Sequence, residues 1–81
     1  MISTRQIKAA RALLAWSQHD LATKSGVSYP TIARLEAQDG QLGGMASTAK
    51  KLCAALEAAG VEFTNGGQPG VRMKAPFVEV T

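Results

Sequence analysis

The chain has 81 residues, which suffice for one compact domain, and its 46% hydrophobic and 19% charged residues argue against a fully disordered chain. The net charge of +3 divides into +4 over residues 1–34 and −1 over residues 35–81, an asymmetry that suits DNA but equally describes a solvated surface. Since Cys53 is the only cysteine and no apolar run is long enough for a signal peptide or a membrane span, an internal disulfide is excluded and we expect a cytoplasmic protein.

Four helices are predicted in the first three quarters of the chain from apolar residues at helical spacing. Each of the first three begins after a serine, and two of these serines have a partner three residues on that completes a capping box. A glycine follows the second helix, where it can take positive φ and turn the chain sharply, and another glycine ends the fourth helix. The predicted helices are residues 4–15, 18–25, 29–37 and 46–59. The serines that precede the first three helices are Ser3, Ser17 and Ser28, and the partners that complete the capping boxes are Gln6 and Asp20. The glycines are Gly26 and Gly60.

Two short runs after the fourth helix alternate apolar and polar residues on either side of a turn-rich segment, which predicts a β-hairpin. The strands are predicted over residues 61–64 and 71–74. Because an isolated two-stranded hairpin is marginal in water, it either packs on the helices or extends a sheet with a second chain. The remaining segments are a Gly-rich loop over residues 39–44 and an extended arm or frayed tail over residues 75–81.

Residues 18–37 have the spacing that a helix-turn-helix needs. Ala22 is small where two helices cross closely, Gly26 makes the turn, and Ser28 starts the next helix so that its first residues face outward. Four apolar residues of this segment can point into one core. They are Leu21, Val27, Ile32 and Leu35.

The chain resembles the lambda-repressor-like (Xre-type) helix-turn-helix regulators from residue 4 to about residue 59. The matching residues are Trp16-Ser17-Gln18, Asp20-Leu21-Ala22, Ser25-Gly26-Val27-Ser28 and Thr31-Ile32-Ala33-Arg34-Leu35-Glu36. The resemblance implies a mainly α fold, with a compact four-helix DNA-binding domain over residues 1–60. Residues 61–81 form a C-terminal β-hairpin and arm in place of a fifth helix. The resemblance also implies a bacterial or phage-encoded regulator of transcription, a repressor or self-limiting controller, that reads an inverted repeat of double-stranded DNA as a homodimer.

By the same resemblance, the second helix of the motif lies in the major groove, and base contacts are made by Ser28, Tyr29, Pro30 and Arg34. Arg34 can bind guanine O6 and N7 with two hydrogen bonds, and the two rings can touch a thymine methyl. The Ser28 hydroxyl, however, is also expected to cap the helix, which leaves it less capacity for DNA. Because these residues offer few hydrogen bonds, part of the specificity is expected to come from DNA shape.

Phosphate contacts are expected at the start of the second helix, where free backbone N–H groups of Ser17 and Gln18 and the helix dipole favour an anion. The other phosphate candidates are Lys24, Thr31 and Gln38. The resemblance pairs Arg11 with Glu36, which ties the first helix to the third. We prefer this structural role for Arg11 to a direct phosphate contact.

The hairpin is predicted to contribute to dimerisation by forming a continuous sheet across a two-fold axis. The side chains concerned are Val61, Phe63, Val71 and Met73. The alternative function is a protein-interaction module with this fold, such as an antitoxin or antiactivator, that binds another regulatory protein through the hairpin or the fourth helix. We expect no enzymatic activity, cofactor, metal or small-molecule ligand, since His19 lacks partners at a useful spacing and is expected to face solvent.

Overall fold

The computed structural model describes residues 2–38, 40, 46–64 and 69–74. In this part of the chain, four helices precede a two-stranded antiparallel sheet, so the predicted mainly α fold with a C-terminal hairpin is confirmed. The elements are α1 (Thr4–Leu14), α2 (Gln18–Ser25), α3 (Tyr29–Glu36), α4 (Ala46–Ala58), β1 (Val61–Thr64) and β2 (Gly70–Met73). The predicted Gly-rich loop apart from Gly40, most of the hairpin turn and the predicted arm lie outside the described residues. None of the described helices is long and apolar enough to span a membrane.

Both predicted capping boxes are present and start α1 and α2 at the expected residues. At the start of α1, Ser3 Oγ accepts the Gln6 N–H at 3.2 Å, and Gln6 Oε1 accepts the Ser3 N–H at 2.8 Å. α1 ends one residue earlier than predicted because Ala15 adopts a left-handed conformation with φ of 56°. Glycine is the usual residue at such a position, so the sequence carries no local signal for this ending. α3 and α4 also end one residue before the predicted positions.

The turn between α2 and α3 depends on Gly26, which has φ of 78° as its predicted role requires. Its N–H donates to the Ala22 carbonyl at 3.0 Å, and the Val27 N–H donates to Ser25 Oγ at 3.1 Å. The connection between the two helices is thus three residues long, and it buries the Val27 side chain. α2 and α3 are therefore held in contact by a short and hydrogen-bonded connection.

The core lies where α1, α2, α3 and α4 meet and extends to the first residue of the hairpin. α1 packs against α3, α4 and both strands, while α2 packs against α3 and α4. Leu21, Val27 and Ile32 are buried as predicted, and Leu35 packs against the cluster from a partly exposed position. The buried hydrophobic residues are Ile7, Ala10, Leu21, Val27, Ile32, Leu52, Leu56 and Val61.

The hairpin packs on the helices of its own chain, chiefly on α1. β2 begins and ends one residue earlier than predicted, and the register places Val61 opposite Met73 and Phe63 opposite Val71. Val61 belongs to the buried cluster, so the helices and the hairpin share one core. The Gln6 amide strengthens this packing, since its Nε2 donates to the carbonyls of Thr64 and Gly70 at 3.2 and 3.0 Å. The residue that completes a capping box therefore also holds the two strand ends against α1.

Candidate nucleic-acid interface

The first two turns of α3 present the four predicted base-contacting residues to solvent. Ser28, Tyr29, Pro30 and Arg34 are all exposed, with 39% of the Tyr29 surface accessible. Among the described residues, none forms an ion pair with the Arg34 guanidinium, and no acidic residue occurs between Tyr29 and Leu35. A cation without a protein partner keeps its donors available for a guanine edge or a phosphate oxygen.

Ser28 occupies the N-cap position of α3, but the expected side-chain cap is absent. Its Oγ lies 2.9 Å from the Thr31 Oγ1, so the two hydroxyls bond to each other instead of to the backbone. Pro30, in the first turn, has no N–H to offer a cap. Within the described residues, the N–H groups of Tyr29 and Thr31 therefore have no acceptor. The expected competition between capping and DNA at Ser28 is replaced by a hydroxyl pair that can rotate to bond an incoming ligand.

Tyr29 is stacked on His19, a contact that the sequence analysis did not anticipate. The ring centroids are 4.0 Å apart and the ring planes differ by 3°. His19 is exposed as expected, and it lies in the first turn of α2, ten residues before Tyr29. No helical or strand spacing relates two such positions, so only the packing of α2 against α3 brings the rings together.

The start of α2 differs from the expectation at Ser17. Its N–H donates to Asp20 Oδ2 at 2.9 Å and its Oγ accepts the Asp20 N–H at 3.0 Å, so Ser17 offers no free backbone donor. At this helix start, the N–H groups of Gln18 and His19 have no acceptor among the described residues. The Asp20 carboxylate also offsets the positive end of the helix dipole, which weakens this turn as a phosphate site.

Gln18 has a second role, because its side chain belongs to a polar cluster that joins three helices. Gln18 Nε2 donates to Glu36 Oε1 at 3.0 Å. The structure also brings together the predicted pair, since Arg11 Nε and Nη2 donate to the two Glu36 oxygens at 2.8 and 2.5 Å. Arg11 Nη1 donates further to the Trp16 carbonyl at 3.0 Å. Arg11 of α1 and Gln18 of α2 are thereby both bonded to the Glu36 carboxylate at the end of α3. The Glu36 side chain is buried, with 4% of its surface exposed.

The charges of this cluster favour its ionised form. Burial alone raises the pKa of Glu36, but the hydrogen bonds from Arg11 and Gln18, with the positive charges of Arg11 and Lys8, outweigh burial and hold that pKa below its ordinary value. The hydrogen bond to Glu36 raises the pKa of Arg11 against the opposing effect of burial. Both groups are therefore charged at neutral pH, and the ion pair is intact there.

Two of the remaining phosphate candidates lie apart from this surface or have their backbone groups occupied. Lys24 is exposed and lines a shallow depression with Trp16, Ala55 and the last residues of α4, on the α4 side of α2. The Gln38 carbonyl accepts the Thr4 hydroxyl at 2.7 Å and its N–H donates to the Leu35 carbonyl at 3.3 Å. Only the exposed side chain of Gln38 is therefore available to DNA.

The four predicted dimerisation residues are buried or partly buried within the single chain. Val61 is 1% exposed within its own chain, while Phe63, Val71 and Met73 are partly buried against the core. The large hydrophobic residues that are exposed in the described part of the chain are Leu13 and Tyr29. Val61 is thus a core residue, and any contribution of the hairpin to a dimer has to come from its other residues and its strand edges.

The described residues contain no group of three or more His, Cys, Asp and Glu side chains arranged to hold a metal ion. Cys53 is half-buried on α4, where burial, with a smaller contribution from the Glu57 charge, raises the pKa of its thiol. This thiol stays neutral at physiological pH and packs against the core as a small apolar group.

Comparison with known proteins identifies one family. A family model described as helix-turn-helix matches residues 7–63, which contain most of α1, the whole of α2, α3 and α4, and most of β1. No curated protein sequence matches the chain. The matched segment includes the whole α2–turn–α3 unit.

Proposed function

Because the chain belongs to the lambda-repressor-like (Xre-type) helix-turn-helix family, a family of DNA-binding regulators and not of enzymes, we propose that it represses or limits transcription by binding an inverted-repeat operator as a homodimer. The observation that carries the proposal is the exposed face of α3, where Tyr29, Pro30 and Arg34 face solvent in a stretch from Tyr29 to Leu35 that contains no acidic residue. The opposite end of α3 is fixed by the buried Glu36 cluster. A helix held at one end and polar at the other is suited to entering the major groove.

The proposed contacts divide between bases and phosphates. Arg34 binds a guanine edge with two hydrogen bonds, while the rings of Tyr29 and Pro30 contact thymine methyl groups. The hydroxyls of Ser28 and Thr31 bond to a base edge or a phosphate oxygen at the first turn of α3. At the start of α2, Gln18 contacts phosphate through its main-chain N–H, since its side chain is engaged with Glu36.

The first experiment selects DNA fragments from a random pool with the full chain and measures binding of the selected site by gel shift over a salt series. The proposal expects an enriched inverted repeat and an affinity that falls as salt rises, with a slope of about −0.9 per neutralised phosphate on a double-logarithmic plot. No enriched site and no retarded band at low salt would contradict DNA recognition and would favour the protein-interaction alternative.

The Arg34→Ala variant tests the base-reading surface. We expect it to weaken binding of the selected site by about 1–3 kcal/mol and to relax the preference at one base-pair position of each half-site. The matched control is Lys74→Ala, which removes one positive charge from an exposed position at the end of the hairpin. If both variants lose the same affinity and keep the same sequence preference, Arg34 contributes only general electrostatic attraction.

The proposed dimer forms through the strand edges of the hairpin. The Lys74 N–H donates to the Gly60 carbonyl at 2.6 Å, and hydrogen-bonded pairs alternate along an antiparallel ladder. Phe63 and Val71 therefore form a non-hydrogen-bonded pair whose main-chain groups point away from the partner strand. A second copy can add to such an edge without disturbing the hairpin.

Substitutions of Val71 distinguish edge pairing from side-chain packing. Val71→Pro removes the outward N–H, whereas Val71→Ala shortens the side chain and keeps the N–H, so edge pairing predicts a monomer only for the first variant. Sedimentation velocity reports the oligomeric state, and circular dichroism reports whether each variant is folded. A folded dimer for Val71→Pro would place the interface elsewhere.

A further inference from the structure

We propose that His19 is a positioning residue for base recognition, because its stack with Tyr29 across the turn of the motif holds the tyrosine ring in one orientation. This inference rests on the proposed DNA-binding function. The two rings join the first turn of α2 to the first turn of α3. They connect the phosphate-facing start of one helix to the base-facing start of the other.

The stack is a surface feature and fills no gap in the core. Both residues are exposed, and neither belongs to the buried cluster. The centroid separation of 4.0 Å and the angle of 3° describe nearly parallel plates in contact over their faces. His19 also makes no side-chain hydrogen bond or ion pair with the described residues. Its aromatic contact there is the Tyr29 ring.

An unsupported tyrosine at the first position of a helix exchanges between rotamers, and DNA binding has to select one of them at an entropic cost. Stacking lowers this cost because the ring is ordered before DNA arrives. It also covers one ring face, so the opposite face and the hydroxyl edge remain for the base pair. A ring in one orientation discriminates a thymine methyl from other base edges better than a mobile ring does.

The sequence makes this stack directly observable, since the chain contains one tyrosine and one histidine. The tyrosine ring protons in an NMR spectrum therefore report on Tyr29 alone. Stacking under an imidazole shifts these protons upfield, and the shift disappears in His19→Ala. In His19→Phe a flat ring is retained at position 19, so the upfield shift persists.

The functional experiment compares the full-length wild type, His19→Ala, His19→Phe and a control, Thr23→Ala, an exposed change on α2. Each variant selects sites from the random pool, and its affinity is measured for the wild-type site and for single base-pair changes in it. His19→Ala is expected to lose about threefold to tenfold of the discrimination at one position of each half-site, while His19→Phe and Thr23→Ala keep it.

Three outcomes decide the inference. Loss of discrimination in His19→Ala with rescue in His19→Phe supports it, because phenylalanine restores neither the charge nor the hydrogen bonds of histidine, and a loss of fold stability alone would weaken binding to every sequence equally. An unchanged profile in His19→Ala, with wild-type selection intact, overturns the positioning role and leaves the proposed function in place. Failure of the wild type itself to enrich any site overturns the proposed function and this inference together.

Discussion

The two ends of α3 are held in opposite ways. At its C-terminal end, Glu36 is buried and bonded to Arg11 and Gln18, and the carbonyl of Gln38 accepts a hydrogen bond from the Thr4 hydroxyl of α1. At its N-terminal end, the side-chain contacts are a hydroxyl pair and an exposed ring stack. Charged and buried hydrogen bonds fix a helix strongly, whereas exposed contacts leave donors and ring edges for a ligand.

The difference shows how a helix of eight residues can be both rigidly placed and chemically available. If both ends were buried, no side chain would remain to read DNA. If both were exposed, so short a helix would lack the tertiary contacts on which its stability depends. We therefore expect substitutions at the C-terminal end of α3 to change the stability of the fold, and substitutions at its N-terminal end to change DNA recognition.

The largest expected effect is that of Arg11→Met, which keeps most of the side-chain volume and removes the charge. Glu36 then keeps a buried negative charge with Gln18 as its remaining described donor, and breaking such a pair costs about 3 kcal/mol of unfolding free energy. Urea unfolding followed by circular dichroism measures this loss.

A double variant, Arg11→Met with Glu36→Met, provides the control for that measurement. Because no charge is left without a partner, we expect the double variant to recover a large part of the lost stability. If it is less stable than Arg11→Met, packing and not charge pairing explains the role of Arg11.

The second prediction concerns pH. The pKa of Glu36 lies below its ordinary value of 4.5 in the folded chain, so its ionised form stabilises the fold fully above about that pH. This stabilisation is lost as the pH falls from 4.5 through the lower folded pKa. Unfolding midpoints measured from pH 7 down to pH 3 should therefore fall more steeply for the wild type than for Glu36→Gln, and equal slopes would contradict the prediction.

The smallest effects come from two of the three N-cap serines, Ser17 at the start of α2 and Ser28 at the start of α3, and they compare the two helix starts one hydroxyl at a time. Ser17→Ala removes a reciprocal cap and should cost about 1 kcal/mol. Ser28→Ala removes a hydroxyl that bonds only to Thr31 and should cost less than about 0.5 kcal/mol. Thermal unfolding of the two variants gives the difference, and equal losses would mean that Ser28 caps α3 in solution.

Most of the fold could be predicted from the sequence because its signals are local. A serine followed three residues later by Gln6 or Asp20 starts a helix through contacts within one turn, and Gly26 permits the turn by its own backbone freedom. The predicted element types were confirmed throughout the described residues. The end of α1 was misplaced by one residue because Ala15 takes a conformation that its residue type does not announce.

The site could be predicted only in its outline. The exposed positions of α3 follow from helical periodicity, since Ile32 and Leu35 identify the opposite, inward face. The engagement of Gln18 with Glu36 and the packing of Val61 into the core depend on distances between separate elements. No spacing rule in the sequence encodes those distances.

The sequence by itself therefore determined the helix-turn-helix, the starts of its helices and the polar face of α3, because each depends on residues within a turn of one another. The tertiary structure alone decided which donors remain for DNA. It gave the Gln18 amide to Glu36 and one face of Tyr29 to His19. The physical reason is that a hydrogen bond or a ring stack forms only between atoms that packing brings within about 3–4 Å.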